Sequence, residues 1–87
     1  MGLDGVELIL EAEKHFDVSV PDERAEETDT VEKFARLLYE LRIQTSAPLA
    51  YDEVLLQLRE IIAKMFHIPI EHIVPGAHFV KDLGLSQ

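Results

Sequence analysis

Tyr51-Asp52-Glu53-Val54-Leu55-Leu56-Gln57-Leu58-Arg59-Glu60-Ile61-Ile62-Ala63-Lys64-Met65-Phe66 decides the fold class. Val54, Leu55, Leu58, Ile61, Ile62, Met65 and Phe66 trace a wide apolar face at helical spacing, as a helix packed on a core requires. Asp52 and Glu53 fall near its start, where the helix dipole favours negative charge. His67-Ile68-Pro69 then breaks the pattern, because a residue before proline is biased away from the helical region.

Reading outward, the long stretch 67–84 is punctuated by Pro69, Pro75 and Gly76, yet Ile68, Ile73, Phe79 and Leu83 recur along it. That spacing predicts a loop pinned to a core, with Phe79 buried. On the other side, the uncharged stretch 43–50 loses helical periodicity and contains Pro48, so it reads as a linker. Before it, Val31, Phe34, Ala35, Leu38 and Leu41 form a stripe over 30–42. Thr28, Asp29 and Thr30 compete to cap that helix, and Asp29 with Glu32 fits a capping box. Val18-Ser19-Val20-Pro21 reads as extended, and Pro21 can open a short helix over 22–27. Leu3, Val6, Ile9, Leu10, Ala12 and Phe16 predict a first helix over 3–16, weakened by roughly 1 kcal/mol at Gly5. The expected class is therefore all-α, a small four-helix bundle. Its core candidates are Val6, Ile9, Leu10, Phe34, Leu38, Ile61, Ile62, Phe79 and Leu83.

Eighty-seven residues make one domain, which buries roughly 60% of its unfolded surface. Cysteine is absent, so helix packing must hold the fold without disulfides. No run is apolar enough to span a bilayer, and Met1-Gly2-Leu3-Asp4 lacks a basic region ahead of an apolar one. The expected location is cytoplasmic. A net charge of −9, from 17 acids and 8 bases, argues against nucleic-acid and anionic-membrane partners. It favours fast, salt-sensitive encounters with basic protein surfaces.

The second half, from Tyr51-Asp52-Glu53-Val54 through Phe66-His67-Ile68, Ile73, Phe79-Val80 and Asp82-Leu83-Gly84-Leu85, resembles the front half of an acyl carrier protein. That family continues with an Asp-Ser-Leu motif, Leu-Asp-x-Val-Glu-Leu, an acidic helix, Phe-Asp, an extended Ile-Pro-Asp-Glu and a last helix after Thr-Val. Similar residues stand here at the beginning: Leu3-Asp4-Gly5-Val6-Glu7-Leu8, Phe16-Asp17, Val20-Pro21-Asp22-Glu23 and Thr30-Val31. Joining Gln87 to Leu3 restores the family order without a gap. The resemblance thus implies a circularly permuted domain: 1–42 as the family's C-terminal half, 43–50 as linker and 51–87 as its N-terminal half. Eight linker residues reach at most roughly 26–29 Å, enough to join neighbouring helix ends. A monomer closed within one chain or a domain-swapped dimer would satisfy this order, as would a piece of two tandem carriers. The permuted version implies that Gln87 lies close to Leu3, that the first helix starts late or frays over 3–5, and that Ser86 and Gln87 are mobile.

The resemblance also implies chemistry. The family's motif serine carries 4′-phosphopantetheine at a helix N-terminus, where free backbone N–H groups suit a phosphate. The arm holds acyl groups as thioesters for enzymes of fatty-acid and lipid biosynthesis. Here Gln87 occupies the serine's column and Ser86 the aspartate's, so Ser86 is an attachment candidate only if the chain slips by one. The expectation is a carrier impaired or unmodified through its disrupted motif; the competing readings are a non-carrier helical interaction module that bears no arm, and an engineered permutant made to study the fold. Asp4, Glu7, Glu11 and Glu13 are the implied docking residues for basic surfaces of acyl-transfer or synthase enzymes and of phosphopantetheinyl transferase, with Glu23, Glu26 and Glu27 extending the face. Catalysis is not expected: neither a nucleophile elbow nor a Gly-rich phosphate loop occurs. A metal site is not expected either, since His15, His67, His72 and His78 form no ligand pair at helical spacing.

Overall fold

A computed structural model describes residues 3–85, and of Leu3 the backbone alone. Its order is α1 (Leu3–Phe16), α2 (Asp22–Ala25), α3 (Val31–Arg42), α4 (Tyr51–Phe66) and a 3-10 turn over Ile70–His72. Among the described residues the only bridge of strand type is an isolated pair, Thr30 with His78. The all-α expectation holds, and the first, third and fourth helices agree with their sequence-based ranges to within a residue. α2 is shorter than expected, because the chain leaves the helix after Ala25 to bury Thr28, whose hydroxyl donates to the Ala25 carbonyl at 2.7 Å.

Each long helix buries one stripe. α3 contributes Val31, Phe34, Ala35, Leu37 and Leu38, and α4 contributes Val54, Leu58 and Ile62. These two helices make the most extensive contact in the molecule, and α1 packs on α4 as well. α1 departs from expectation. Its buried stripe is Gly5, Leu8, Ala12 and Phe16, while Val6 and Leu10, expected in the core, are 47% and 59% exposed. The small side chains at positions 5 and 12 let this face lie against its neighbours, and that rotates Val6 and Leu10 outward. Of the other expected core residues, Phe34, Leu38, Ile62 and Phe79 are buried, while Ile9, Ile61 and Leu83 pack at its margin. α1 also extends back to Leu3, without the late start expected at Gly5. The expected closeness of Gln87 to Leu3, and the mobility of Ser86 and Gln87, lie outside the described residues.

α3 begins with backbone N–H groups that no turn of its own can satisfy. The loop after α4 supplies partners: Val31 donates to the Ala77 carbonyl at 3.0 Å and Glu32 to the Pro75 carbonyl at 2.7 Å. Lys33 donates to the Thr30 hydroxyl at 3.3 Å, so Thr30 is the cap. Asp29, expected to cap through a capping box, instead pairs its carboxylate with the Lys33 ammonium at 2.9 Å. The reason lies across the fold: Phe79 donates to the Asp29 carbonyl at 3.0 Å and Thr30 bridges to His78, which holds 29–30 extended. Asp29 is consequently held below its ordinary carboxylate range, first by the Lys33 hydrogen bond, and Lys33 is raised by the same contact.

Two arginines pin the loops. Arg59 on α4 donates to the carbonyls of Ile73 at 2.7 Å and Ile70 at 3.1 Å, folding the long loop back onto its own helix. Arg42 at the end of α3 donates to the Phe16 carbonyl at 2.5 Å and the Ala47 carbonyl at 2.7 Å, tying the linker to the end of α1. Thr45 adds a bond from its hydroxyl to the Arg42 carbonyl at 2.7 Å. The linker is thus a built loop.

Phe79 is 3% exposed and stands edge-on to Phe34, with ring centroids 6.2 Å apart. We expect Phe79→Ala to cost roughly 3–5 kcal/mol in urea or guanidinium unfolding, the range for a buried Phe truncated in a packed core. A loss below about 1 kcal/mol would mean that the loop merely rests on the bundle.

Candidate partner-docking face

Residues 1–29 hold ten acids against two bases, a net −8 of the chain's −9. Nearly all of the unbalanced charge therefore lies on α1, α2 and the connecting residues up to Asp29, and the chain from Thr30 onward is close to neutral. The outward face of α1 presents Val6, Glu7, Leu10, Glu11 and Lys14, all exposed. Val6 and Leu10 are four apart, as are Glu7 and Glu11, so an apolar stripe runs beside an acidic one. Exposed Val6 borders a cleft of about 260 Å³ between α1 and α2, with Ile9, Asp22, Ala25 and Glu26. Glu23, Glu26 and Glu27 are exposed on the α2 side.

The four expected docking acids are not equivalent. Glu7 and Glu11 project into solvent. Asp4 is half-buried and engaged with a neighbouring group. Glu13 turns toward the chain, where its carboxylate accepts the Val20 backbone N–H at 2.6 Å. That bond ties the extended stretch before α2 to the flank of α1, and Val20 is buried there. Glu13 has a structural duty that its place in an acidic run conceals. Ser86, the attachment candidate, lies outside the described residues.

The histidines are scattered: His15 bonds Gln57 across α1 and α4 at 2.9 Å, His67 ends α4 with a left-handed φ of 55°, and His72 is exposed in the 3-10 turn. His78 has a more specific place, its ring nitrogen Nδ1 accepting backbone N–H groups at Val80 and Lys81, each at 3.1 Å. Among the described residues no group of three or more His, Asp or Glu side chains is arranged to hold a metal. None of their helices is long and apolar enough to cross a membrane. Besides the inward turn of Glu13, sequence reasoning missed the exposure of Val6 and Leu10. The signal for them was the run of small residues Gly5 and Ala12 in phase with Leu8 and Phe16.

We expect Glu13→Ala to lose about 1–3 kcal/mol of unfolding free energy, since it removes a charged acceptor and leaves the part-buried Val20 N–H without a partner. Glu13→Gln keeps an acceptor at the same reach and should lose clearly less. Equal stability of Glu13→Ala and the parent chain in urea titrations would place Glu13 among the ordinary solvated acids.

No family model matches the chain, and no solved structure does. Three curated proteins match. One is the acyl carrier protein of Chlorobium phaeobacteroides, 58% identical over 31 residues. The match covers 36% of this chain and 40% of that protein's length. Over that stretch the chain is similar to an acyl carrier protein.

Proposed function

We propose that the chain is an acyl-carrier-like domain in permuted order, closed within one chain, that docks on basic enzyme surfaces through α1 and carries no phosphopantetheine arm. The observation that carries this reading is the 58% identity to an acyl carrier protein within a helical chain. On this reading the protein is a carrier-type partner of acyl-transfer or synthase enzymes in fatty-acid or lipid metabolism, working in the cytoplasm, and not an enzyme itself. Permutation within one chain is supported by the way the two halves complete each other. Loop 75–79, from the second half, satisfies the start of α3, from the first. The linker is bonded to the bundle at Ala47. The Cα radius of gyration is 11.8 Å, close to the roughly 12 Å that scaling gives for one packed body of this length.

The unarmed state is supported by residue chemistry. In the restored order the attachment column holds Gln87, whose amide has no hydroxyl to form the phosphodiester. Native mass spectrometry should therefore find a 9.9 kDa monomer, with its mass unchanged after incubation with coenzyme A and a phosphopantetheinyl transferase. A gain of one arm would make the chain a loaded carrier through Ser86, and a dimer would replace internal closure by a swap.

Docking is supported by the concentration of charge in residues 1–29 and by the exposed apolar pair Val6 and Leu10 beside Glu7 and Glu11. The charges steer the encounter and set its salt dependence, while the apolar pair supplies area to bury. With phosphopantetheinyl transferase as the probe, the double variant Glu7→Lys/Glu11→Lys should weaken binding roughly tenfold at low salt, the scale of two exposed charge pairs. It should also flatten the salt dependence. Binding of the parent chain that ignores both salt and these substitutions would remove α1 as the docking face.

A further inference from the structure

The turn at 79–83 is built like a short helix with both ends closed. At its end Gly84 adopts a left-handed φ of 72°, and its N–H donates to the Val80 carbonyl at 3.1 Å. At its start stands His78, in the position usually filled by Ser, Thr, Asp or Asn. Its ring Nδ1 accepts the N–H groups of Val80 and Lys81, and Asp82 Oδ2 returns the favour by accepting the His78 N–H at 2.7 Å. A backbone N–H can only donate, so Nδ1 must be without a proton, and Nε2 carries the ring's hydrogen. Among cap residues this chemistry is peculiar to histidine: adding a proton converts the acceptor into a donor aimed at two other donors.

We propose that His78 is a pH-sensitive latch, its neutral ring closing the turn that anchors loop 75–85 to α3 and its protonated ring releasing it. The inference stands on this geometry and does not depend on the carrier reading. The charged groups about the ring set the sign. From the α3 side, Asp29 Oδ2 lies 3.8 Å from Nε2, beyond hydrogen-bond length, and favours the cation. Its carboxylate is half-exposed and already bonded to Lys33, so water and that ammonium screen the attraction. From its own turn, the Asp82 carboxylate is spent on the His78 backbone N–H, and Lys81 opposes a second positive charge. The two backbone bonds to Nδ1 are made by the neutral ring alone. The latch is therefore closed while the ring is neutral and opens when Nδ1 takes up a proton.

What it holds is consequential. Phe79 and Leu85, both buried, flank the turn, and the Leu85 N–H donates to the Phe79 carbonyl at 3.0 Å. His78 is bridged to Thr30, the cap of α3, and the neighbouring Phe79 is bonded to Asp29. Opening at His78 thus loosens the segment that leads to Ser86.

The test is hydrogen exchange by NMR on the full chain, read as protection factors at the Val80 and Lys81 amides at pH 7.5 and 5.5. We expect the parent chain to lose roughly tenfold in protection at these two amides on acidification, the scale of one net hydrogen bond. His78→Asn, which caps through an oxygen that does not titrate in this range, should show no such loss, and His78→Ala should lack the protection at both pH values. Independently of any variant, the imidazole nitrogen shifts of the parent chain at pH 7.5 should report Nε2–H with a bare Nδ1. A proton on Nδ1 at pH 7.5, undiminished protection at pH 5.5, or the same pH dependence in His78→Asn would each overturn the latch.

Discussion

The arrangement depends on one set of contacts, the start of α3 seated on the loop that follows α4. Helix α3 carries the largest share of the core, and its first N–H groups would otherwise be left without partners at a partly buried end. Carbonyls of Ala77 and Pro75 take two of them, and the same loop drives Phe79 against Phe34. The polar and apolar parts reinforce each other. The hydrogen bonds fix the register of the loop, and only in that register does the Phe79 ring reach the core. An unpaired buried donor costs about 1–3 kcal/mol, so the loop cannot drift without losing both kinds of contact. This explains how a stretch with little regular structure can behave as part of the bundle.

A second constraint is electrostatic. Nearly all the net charge lies on the first third of the chain, which favours solvent or a cationic partner over that part of the surface. The half-buried arginines do other work. Arg42 and Arg59 are spent on carbonyl groups of loops, where guanidinium geometry binds two acceptors at once. They do not neutralise the acidic face. The division of labour leaves one surface strongly negative around an apolar stripe and the rest of the molecule nearly balanced.

Much of the fold was legible because α3 and α4 each have a single stripe that only one helical phase can bury. Val54, Leu58 and Ile62 recur at four-residue steps, and no competing apolar row runs beside them with equal strength. In α1 two rows compete, Val6 with Leu10 and Leu8 with Phe16, and hydrophobicity alone does not choose. The choice is made by Gly5 and Ala12, whose lack of bulk matters only once a neighbouring surface is present. Capping shows the same limit. Asp29 and Thr30 both offer side-chain oxygens, and the decision falls to Thr30 because His78, 48 positions further on, holds the segment extended. Of the candidate site, the acidity of α1 could be read from residue types. The inward turn of Glu13 could not, since it depends on where Val20 returns to the helix.

The bonded linker after α3 has a consequence for how the chain assembles. The most extensive helix pairing, α3 with α4, is also the one closed by the shortest long-helix connection, residues 43–50. The seat of α3 on its loop instead joins Val31 to Ala77, 46 positions apart. Closure entropy rises with the logarithm of loop length, so the distant contact costs about 1.5 kcal/mol more to close from an open chain than the near one. The α3–α4 hairpin, tightened by Arg42 at its bend, is thus the inexpensive nucleus, and its formation shortens the remaining search that brings Ala77 to Val31. An order of events is written into the connectivity: the local hairpin first, and the long loop fastened onto it afterwards.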